Sequence, residues 1–277
     1  MKNHKNTLRN LLVLLGALLI SFPIHAQQLN GETFSIGLSD PNSPGKLEFR
    51  HIDGNISISA HDKSVVEITA TRRESKKKVT PKMREGMKSI SNKSKNLEYE
   101  VEELKNTVLI RTWPNGTVDF NIKVPRNFNL NIKAINNGDI YVEDVSGEFE
   151  VSNVNGSITM ENISGPVLAD AMNKDIKIDF RSVGDGHMAF SNFNGDIDIS
   201  FPGDLKAEVK AKSPMGDIFS DFDMKMIESD ASSSQKSENG TYKVTRNEWI
   251  KGTINGGGTE LVFQNFNGDI IIRNKDK

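Results

Sequence analysis

Glycine recurs at a fixed interval in the middle of the chain, and this period limits the possible folds more than any other feature. Gly138, Gly147, Gly156 and Gly165 lie nine residues apart, and Lys174 occupies the next expected position. Apolar residues follow in the phase G-x-φ-x-φ-x-x-φ, where φ is apolar. Such alternation is typical of half-buried strands, and glycine is typical of the turns between them. The period therefore predicts short, regularly spaced β-strands.

The turn carries a repeated phrase of its own. It reads SNVNGSI at 152–158, SNFNGDI at 191–197 and QNFNGDI at 264–270, with partial copies at 136–140, 173–176 and 215–218. Two nine-residue halves make a unit of 18 residues, and from Lys174 onward the unit lengthens to 21 residues. Asn and Gly are the residues that tolerate tight corners. The phrase therefore marks one corner of each unit.

This pattern favours a parallel β-solenoid, in which coils stack at about 4.8 Å and like residues lie over like. An antiparallel meander or sandwich is the alternative, because Asn-Gly between alternating segments is also a strong hairpin signal. A meander gives no reason for the same residue types to return in the same phase. We therefore predict an all-β, single-stranded parallel β-solenoid with coils of 18–21 residues. Ile and Phe should form internal columns, and Asn amides should stack at the corners.

The first 26 residues have the pattern of a secretory signal peptide. Lys2, Lys5 and Arg9 precede an apolar run at 11–20, and a small residue, Ala26, ends the segment. An uncleaved anchor is the alternative, although ten apolar residues are few for a membrane span. We expect an exported protein, in the periplasm or at the cell surface or outside the cell, with no later transmembrane segment. The chain contains no Cys, which excludes disulfides, cysteine nucleophiles and a lipid anchor on Cys.

Residues 27–277 are predicted to form one elongated domain. It begins with irregular coils, which include a strand pair around Lys105 and Asn106, and with a basic insertion at 72–95 that holds a short helix at 83–91. Regular coils follow at 118–222. A Ser-rich loop at 229–240 and a C-terminal coil at 260–273 complete the domain.

A family resemblance rests on the coil motifs. Residues 122–158 (IKVPRNFNLNIKAINNGDIYVEDVSGEFEVSNVNGSI), continued by NFNGDIDISFPGD and MGDIFSDF, resemble the putative-adhesin domain family of bacterial envelope proteins. The sequence is also similar, more distantly, to head-domain putative auto-transporter adhesins. The resemblance covers most of the chain from about Leu47 and implies an exported β-solenoid without established molecular function or catalytic residues. Lys174 departs from the glycine expected at its corner.

No motif predicts a catalytic, metal or cofactor site. His51, His61 and His187 are scattered and belong to no closely spaced ligand set. A column of carboxylates is expected where the corner phrase repeats, at Asp139, Asp175, Asp196, Asp217 and Asp269. Stacked carboxylates could hold Ca²⁺, but Ser157 interrupts the column and the calcium nonapeptide G-G-x-G-x-D is missing. Acceptance of hydrogen bonds at an exposed corner is the simpler interpretation.

Enzymatic and glycan-stacking functions are weaker hypotheses. A polysaccharide-active β-helix enzyme would need one distinguished pair of carboxylates or cations beside an enolate-like intermediate. Residues 138–204 instead carry 13 acidic and only three basic side chains, so we predict no enzyme activity. Aromatic side chains that could stack on a glycan are Tyr99, Trp113, Tyr141, Tyr242 and Trp249, although Trp113 and Trp249 fit equally well as caps of a solenoid end.

Charge is strongly segregated along the chain. The formal net charge is −2, yet residues 72–95 carry ten basic and two acidic side chains, a net +8, and residues 138–204 carry a net −10. Near-neutrality argues against a nucleic-acid partner. We predict a noncatalytic adhesin or cell-envelope interaction protein whose partner is an anionic envelope polymer or a surface glycan. A periplasmic scaffold or envelope-stress component is the alternative.

Overall fold

The computed structural model describes residues 31–73, 83–84, 87–88, 98–114, 116–227, 233–238, 241–246 and 249–277. Every regular element within these ranges is a β-strand. The strands are, in chain order, β1 (Gly31–Gly37), β2 (Gly45–Asp53), β3 (Ile56–His61), β4 (Val65–Arg72), β5 (Met83–Arg84), β6 (Met87–Lys88), β7 (Tyr99–Leu104), β8 (Thr107–Thr112), β9 (Val118–Pro125), β10 (Phe128–Asn136), β11 (Ile140–Glu143), β12 (Phe149–Asn153), β13 (Ile158–Ser164), β14 (Val167–Ala171), β15 (Ile176–Ser182), β16 (Met188–Asn194), β17 (Ile197–Phe201), β18 (Ala207–Lys212), β19 (Ile218–Ser220), β20 (Met224–Ile227), β21 (Ser233–Glu238), β22 (Thr241–Arg246), β23 (Ile250–Ile254), β24 (Thr259–Asn267) and β25 (Ile270–Asn274).

Two sheets enclose one core. Sheet A has the strand order β1-β4-β9-β3-β11-β13-β15-β17-β25-β19, and sheet B has the order β20-β23-β18-β24-β16-β14-β12-β10-β2-β8-β7. Each coil contributes one strand to each sheet, and successive coils from β10 to β17 pair in parallel. This pairing confirms the predicted parallel solenoid and contradicts the antiparallel meander.

The register places like residues over like. In sheet A, Ile158 lies opposite Ile140 on one side and Ile176 on the other, and Ile176 in turn lies opposite Ile197. Aromatic rings stack in the same way, with Phe190 and Phe263 at a centroid distance of 5.0 Å. These side chains are buried, and each fully buried Ile or Phe contributes roughly 1.5–3 kcal/mol. The internal columns of Ile and Phe are therefore confirmed.

The coils do not stack in sequence order. The C-terminal coil, β24–β25, lies between β16–β17 and β18–β19, so that Ile270 pairs with Ile197 on one side and Ile218 on the other. The first coil, β2–β3, likewise lies between β8–β9 and β10–β11. The predicted coil at 260–273 is thus present, but it is an internal layer of the stack, with Ile270 and Ile272 buried.

Antiparallel strands complete both ends of the stack. At one end β1 and β4 extend sheet A and β7 extends sheet B, while β23 and β20 extend sheet B at the other end. The predicted strand pair around Lys105 and Asn106 is confirmed as β7 and β8. Both turn residues have positive φ, 51° and 64°, as a tight two-residue hairpin turn requires.

Two predictions about the insertions differ from the structure. The helix over 83–91 is wrong at the residues described there, because β5 and β6 pair in an antiparallel hairpin; the rest of 74–97 lies outside the described residues. The Ser-rich segment contributes a strand, β21, that pairs with β22 instead of forming only a loop. The predicted signal peptide lies outside the described residues. Within the described part of the chain, no helix is long and apolar enough to cross a membrane.

Candidate functional site

The turns that lead from sheet B to sheet A form one long edge of the solenoid, here called the glycine corner. They lie at 54–55, at 113–114 with 116–117, and at 137–139, 154–157, 172–175, 195–196, 213–217 and 268–269. In six of the eight coils, the first inward isoleucine of sheet A lies five residues after the last inward residue of sheet B in the sequence. Ile158, for example, lies five residues after Asn153. This edge therefore repeats with little variation.

Glycine is required here because successive turns touch through their backbones. A Cβ on Gly138 would lie 1.7 Å from the carbonyl oxygen of Gly54, and a Cβ on Gly156 would lie 1.9 Å from that of Gly138. Lys174 nevertheless stays in register, since its carbonyl accepts a hydrogen bond from Asn192 Nδ2 at 2.9 Å. The contact between Lys174 and the turn of the next coil is less close than the glycine contacts. A Cβ on Gly195 would lie 2.8 Å from the Lys174 carbonyl carbon.

The Asp column uses its carboxylates to cap the next coil. Asp196 donates its backbone N–H to Asp175 Oδ1, and Asp269 donates to Asp196 Oδ1, each at 2.9 Å. Asp217 donates in turn to Asp269 Oδ1 at 2.9 Å. At the break in the column, the Ser157 hydroxyl and N–H both donate to Asp139 Oδ1 at 2.8 Å. The structure thus brings the five Asp residues into one column, in an order set by the coil stacking. Asp139, Asp175, Asp196 and Asp269 act as acceptors at an exposed corner, and Asp217 ends the column as a donor.

A ladder of Asn amides runs beside this column. The ladder runs in the order Asn136, Asn155, Asn173, Asn194 and Asn267. Each amide after the first donates its Nδ2 to the side-chain oxygen of the Asn before it, at 3.0, 3.0, 3.4 and 3.3 Å. Stacked amides satisfy each other's donors and acceptors on an exposed edge. The predicted Asn ladder is confirmed.

A second polar column lies inside the same edge. Asn153, Asn192 and Asn265 are buried, and their Nδ2 atoms donate to carbonyls of the corner, as from Asn153 to Gly138 at 3.0 Å. His51 takes the equivalent place in the first coil, with Nε2 2.7 Å from the Val118 carbonyl. Burial lowers the pKa of His51, although the bond to Val118 and the nearby carboxylates of Asp53 and Asp119 oppose this shift.

An exposed apolar row also follows the glycine corner, and sequence reasoning missed it. Its half-exposed side chains are Ile135, Met172, Phe193 and Phe266, joined by Val154. The rings of Phe193 and Phe266 stack at a centroid distance of 4.8 Å with an interplanar angle of 2°. Isolated exposed apolar residues are common, but a continuous row rimmed by polar ladders is typical of an interaction surface.

The sequence did contain a signal for this row. Phe190 and Asn192 point inward, so strand alternation places Phe193 on the outside. The nine-residue template hid this, because it treats Val154 as equivalent to Val145. Val145 is fully buried, whereas Val154 is half-buried and faces outward. The true structural repeat is the 18-residue coil.

The remaining candidates are dispersed. His61 Nε2 lies 2.8 Å from the Val65 carbonyl, and His187 Nδ1 lies 3.4 Å from Glu260 on the outer face of sheet B. No group of three or more His, Asp or Glu residues in the described ranges is arranged to hold a metal ion. The Gly256–Gly258 run forms the turn before β24, where Gly256 and Gly257 have positive φ of 87° and 89°.

The aromatic candidates fall into three environments. Tyr99 covers the end of the core, stacked on Phe34 at 5.8 Å, and burial together with a hydrogen bond to Glu32 raises the pKa of Tyr99 to about 12. Tyr141 donates to Glu161 at 2.9 Å, and burial raises its pKa to about 12 as well. Trp113 is half-exposed, and Trp249 lies beside Lys212 Nζ at 6.0 Å. The side chain of Tyr242 lies outside the described residues.

The start of the basic segment is fixed to the glycine corner. Arg73 forms an ion pair with Asp119 and donates to the Asn137 carbonyl at 3.2 Å. The hydrogen bond to Asp119 raises the pKa of the Arg73 guanidinium. The lysines and arginines at 76–95 that carry most of the predicted positive charge lie outside the residues whose side chains are described.

Comparisons with known proteins give a family. No curated protein matches the chain. A solved structure described as a putative cell adhesion protein from Clostridium sporogenes ATCC 15579 is 14% identical in sequence, with a TM-score of 0.36. The alignment covers 88% of this chain and 100% of the Clostridium sporogenes chain. The family model Toastrack DUF4097 matches residues 27–255, most of the chain. The chain therefore belongs to the Toastrack DUF4097 family, as its resemblance to adhesin-like domains predicted.

Proposed function

We propose that this protein is a noncatalytic adhesin-like protein that acts outside the cytoplasm and binds a cell-envelope or cell-surface partner. The observation that carries the proposal is the exposed apolar row of Ile135, Val154, Met172, Phe193 and Phe266, one residue for each successive coil. Because the coils repeat at about 4.8 Å, this row offers an extended surface about 20 Å long. An extended partner can contact several coils at once, and many weak contacts then add in avidity.

The rigidity of this edge supports the same function. The Asp and Asn ladders hold the glycine corner in register, so the apolar row loses little conformational freedom when it binds. A surface that is already ordered before binding keeps more of its contact energy as affinity. The name given to the Clostridium sporogenes protein is consistent with adhesion, but the proposal rests on the geometry of this chain.

Binding of the purified protein to intact cells of the producing organism tests this proposal. We expect Phe193→Ser with Phe266→Ser to reduce the bound fraction at least about fivefold, since each loses apolar contact area. Leu104→Ser is the matched control. Leu104 is 63% exposed, but it is the last residue of β7 and lies away from the row. Equal binding by all variants would contradict the proposal.

Location separates surface adhesion from the alternative of a periplasmic scaffold. Externally added protease should digest the protein on intact cells if it is displayed at the surface. Protection on intact cells, followed by digestion after the outer barrier is opened, would favour the periplasmic role.

A further inference from the structure

A groove of about 410 Å³ crosses the outer face of sheet B, away from the glycine corner. Strands β10, β12 and β14 form its floor, and the turn at 183–187 forms one wall. That turn contains the extra residues that lengthen the coil from 18 to 21. It folds back over the preceding coil so closely that a Cβ on Gly186 would lie 2.9 Å from Cβ of Pro166. The insertion therefore builds the wall of the groove.

The polar side chains of the groove include both free donors and free acceptors. Asn129 accepts the Glu148 N–H at its Oδ1 at 2.8 Å, which leaves its Nδ2 available. Asn131 donates its Nδ2 to Glu150 at 2.7 Å, which leaves its Oδ1 available. Among the described residues, the carboxylates of Glu148 and Asp185 have no hydrogen-bond or ion-pair partner, and both residues are exposed.

The basic side chains at the groove each have an acidic partner. Lys46 forms an ion pair with Glu48 at 2.8 Å, and His187 lies 3.4 Å from Glu260. Lys133, just beyond the groove, is paired with Glu150 at 2.8 Å. The available charges are therefore negative, which disfavours an anionic ligand.

The floor between these polar groups is apolar. Leu168 is 44% exposed in the middle of the groove, and Pro166 is half-buried beside it. A cationic ligand would use only acceptors, and an apolar ligand would leave the carboxylates without partners. Sugars have hydroxyl groups that both donate and accept, together with C–H faces that pack on apolar side chains. The chemistry of the groove matches this combination.

We propose that this groove binds an uncharged oligosaccharide segment of a surface or envelope glycan. Glu148 and Asp185 accept hydrogen bonds from sugar hydroxyls. Asn129 donates a hydrogen bond to a further hydroxyl and Asn131 accepts one, while Leu168 packs against the sugar ring. Hydrogen bonds to a charged acceptor are stronger than those between neutral groups. This inference rests on the proposed function, because it names the partner class that an adhesin-like protein would bind.

Titration of the full chain with fluorescent cellotetraose, xylotetraose and chitotetraose tests the inference. We expect saturable binding of at least one of these sugars, and about tenfold weaker binding after Glu148→Gln or Asp185→Asn. Leu168→Ser should weaken binding as well. Glu208→Gln is the matched control, because Glu208 is an exposed carboxylate on the same sheet outside the groove. Unchanged thermal unfolding of each variant would show that the fold is intact.

Three outcomes would overturn the inference. The first is no binding of any of the three sugars up to about 10 mM, and the second is equal binding by wild type and the groove variants. The third is Glu148-dependent binding of a hexalysine peptide that disappears at about 0.5 M salt, with no sugar binding, since this would identify a cation site. If binding to intact cells persists while the sugars fail, the glycan groove is wrong and the proposed function still stands.

Discussion

The two long edges of the solenoid differ in how much the length of their turns varies. At the glycine corner, the first inward isoleucine of sheet A lies five residues after the last inward position of sheet B in most coils. At the opposite edge, here called the variable corner (144–148, 165–166, 183–187 and 202–206), the chain returns from sheet A to sheet B. There the separation in sequence between equivalent strand positions changes from coil to coil. Phe149 lies seven residues after Val142, but Met188 lies ten residues after Ile178. The lengthening of the coils from 18 to 21 residues is confined to the variable corner.

Contacts between coils explain this difference. At the glycine corner, backbone touches backbone, and the Asp column and the Asn ladder link neighbouring coils through side-chain hydrogen bonds. An added atom or residue would break several contacts at once. The first turns of the variable corner are packed as closely, since a Cβ on Gly165 would lie 2.0 Å from the Gly147 carbonyl oxygen. At the next turn, 183–187, a Cβ on Gly184 would meet nothing closer than 3.1 Å, and this turn extends into solvent. The rigid edge thus supports a regular binding row, while the tolerant edge supplies the insertion that shapes a groove.

The largest effect should come from adding a side chain at the glycine corner. Gly156→Ala places a Cβ 1.9 Å from the Gly138 carbonyl oxygen and 2.7 Å from Asn153 Nδ2, and the backbone at Gly138 cannot move aside without disturbing the stack. We expect a loss of about 3 kcal/mol or more in the free energy of unfolding, measured by urea denaturation. Gly37→Ala is the control, since nothing lies within 4 Å of its added Cβ. Similar stability of the two variants would refute the tight packing of this edge.

The next largest effect should appear as a pH dependence of the inner polar column. Burial lowers the pKa of His51, so the unfolded chain takes up a proton on His51 at a higher pH than the folded chain. The stability associated with neutral His51 is complete above its ordinary pKa near 6.5 and is lost as the pH falls below that value.

The variant His51→Asn should reduce this acid sensitivity, because Asn occupies the equivalent place in three other coils and does not titrate. Urea unfolding at several pH values between about 5 and 8 provides the measurement. The control is Asn192→Ala, which alters the same buried column without removing a titratable group and should lower stability equally at each pH. The explanation fails if His51→Asn keeps the wild-type pH dependence.

A smaller effect is expected from removing one rung of the Asp column. Asp196→Ala deletes the acceptor of the Asp269 N–H and should cost about 0.5–1.5 kcal/mol of unfolding free energy. Asp196→Asn keeps an acceptor oxygen and should restore most of the loss. Asp204→Ala, at an exposed site of the variable corner, should change stability less. Equal losses for Asp196→Ala and Asp204→Ala would remove the structural role of the column.

The smallest effect should follow an insertion at the variable corner. Gly-Ser inserted between Gly184 and Asp185 lengthens an exposed turn and should cost less than about 1 kcal/mol. The same insertion between Asn155 and Gly156 would interrupt the Asn ladder and the glycine contacts, and should cost several times more. Thermal unfolding of both variants compares the edges directly, and equal costs would show that they do not differ.

Much of the fold could be predicted because strand alternation and corner chemistry are local. The period of Gly138, Gly147, Gly156 and Gly165 predicted the strands, and the Asn-Gly phrase predicted the ladder. The same reasoning could have placed Phe193 on the surface, had the 18-residue coil been used as the unit. The groove could not be predicted, because it depends on how the turn at 183–187 packs over Pro166.

The sequence by itself determined the coil: its length, its inward and outward residues and the identity of its tight corner. These follow from steric limits and alternation within about 20 residues. Only the tertiary structure decided the order of the coils. Every coil presents a similar row of Ile, Val and Phe to its neighbours, so the local pattern does not show which coils are adjacent. Long-range packing and strand pairing placed β24–β25 between two earlier coils, and the same packing set the order of the Asp column and of the apolar row.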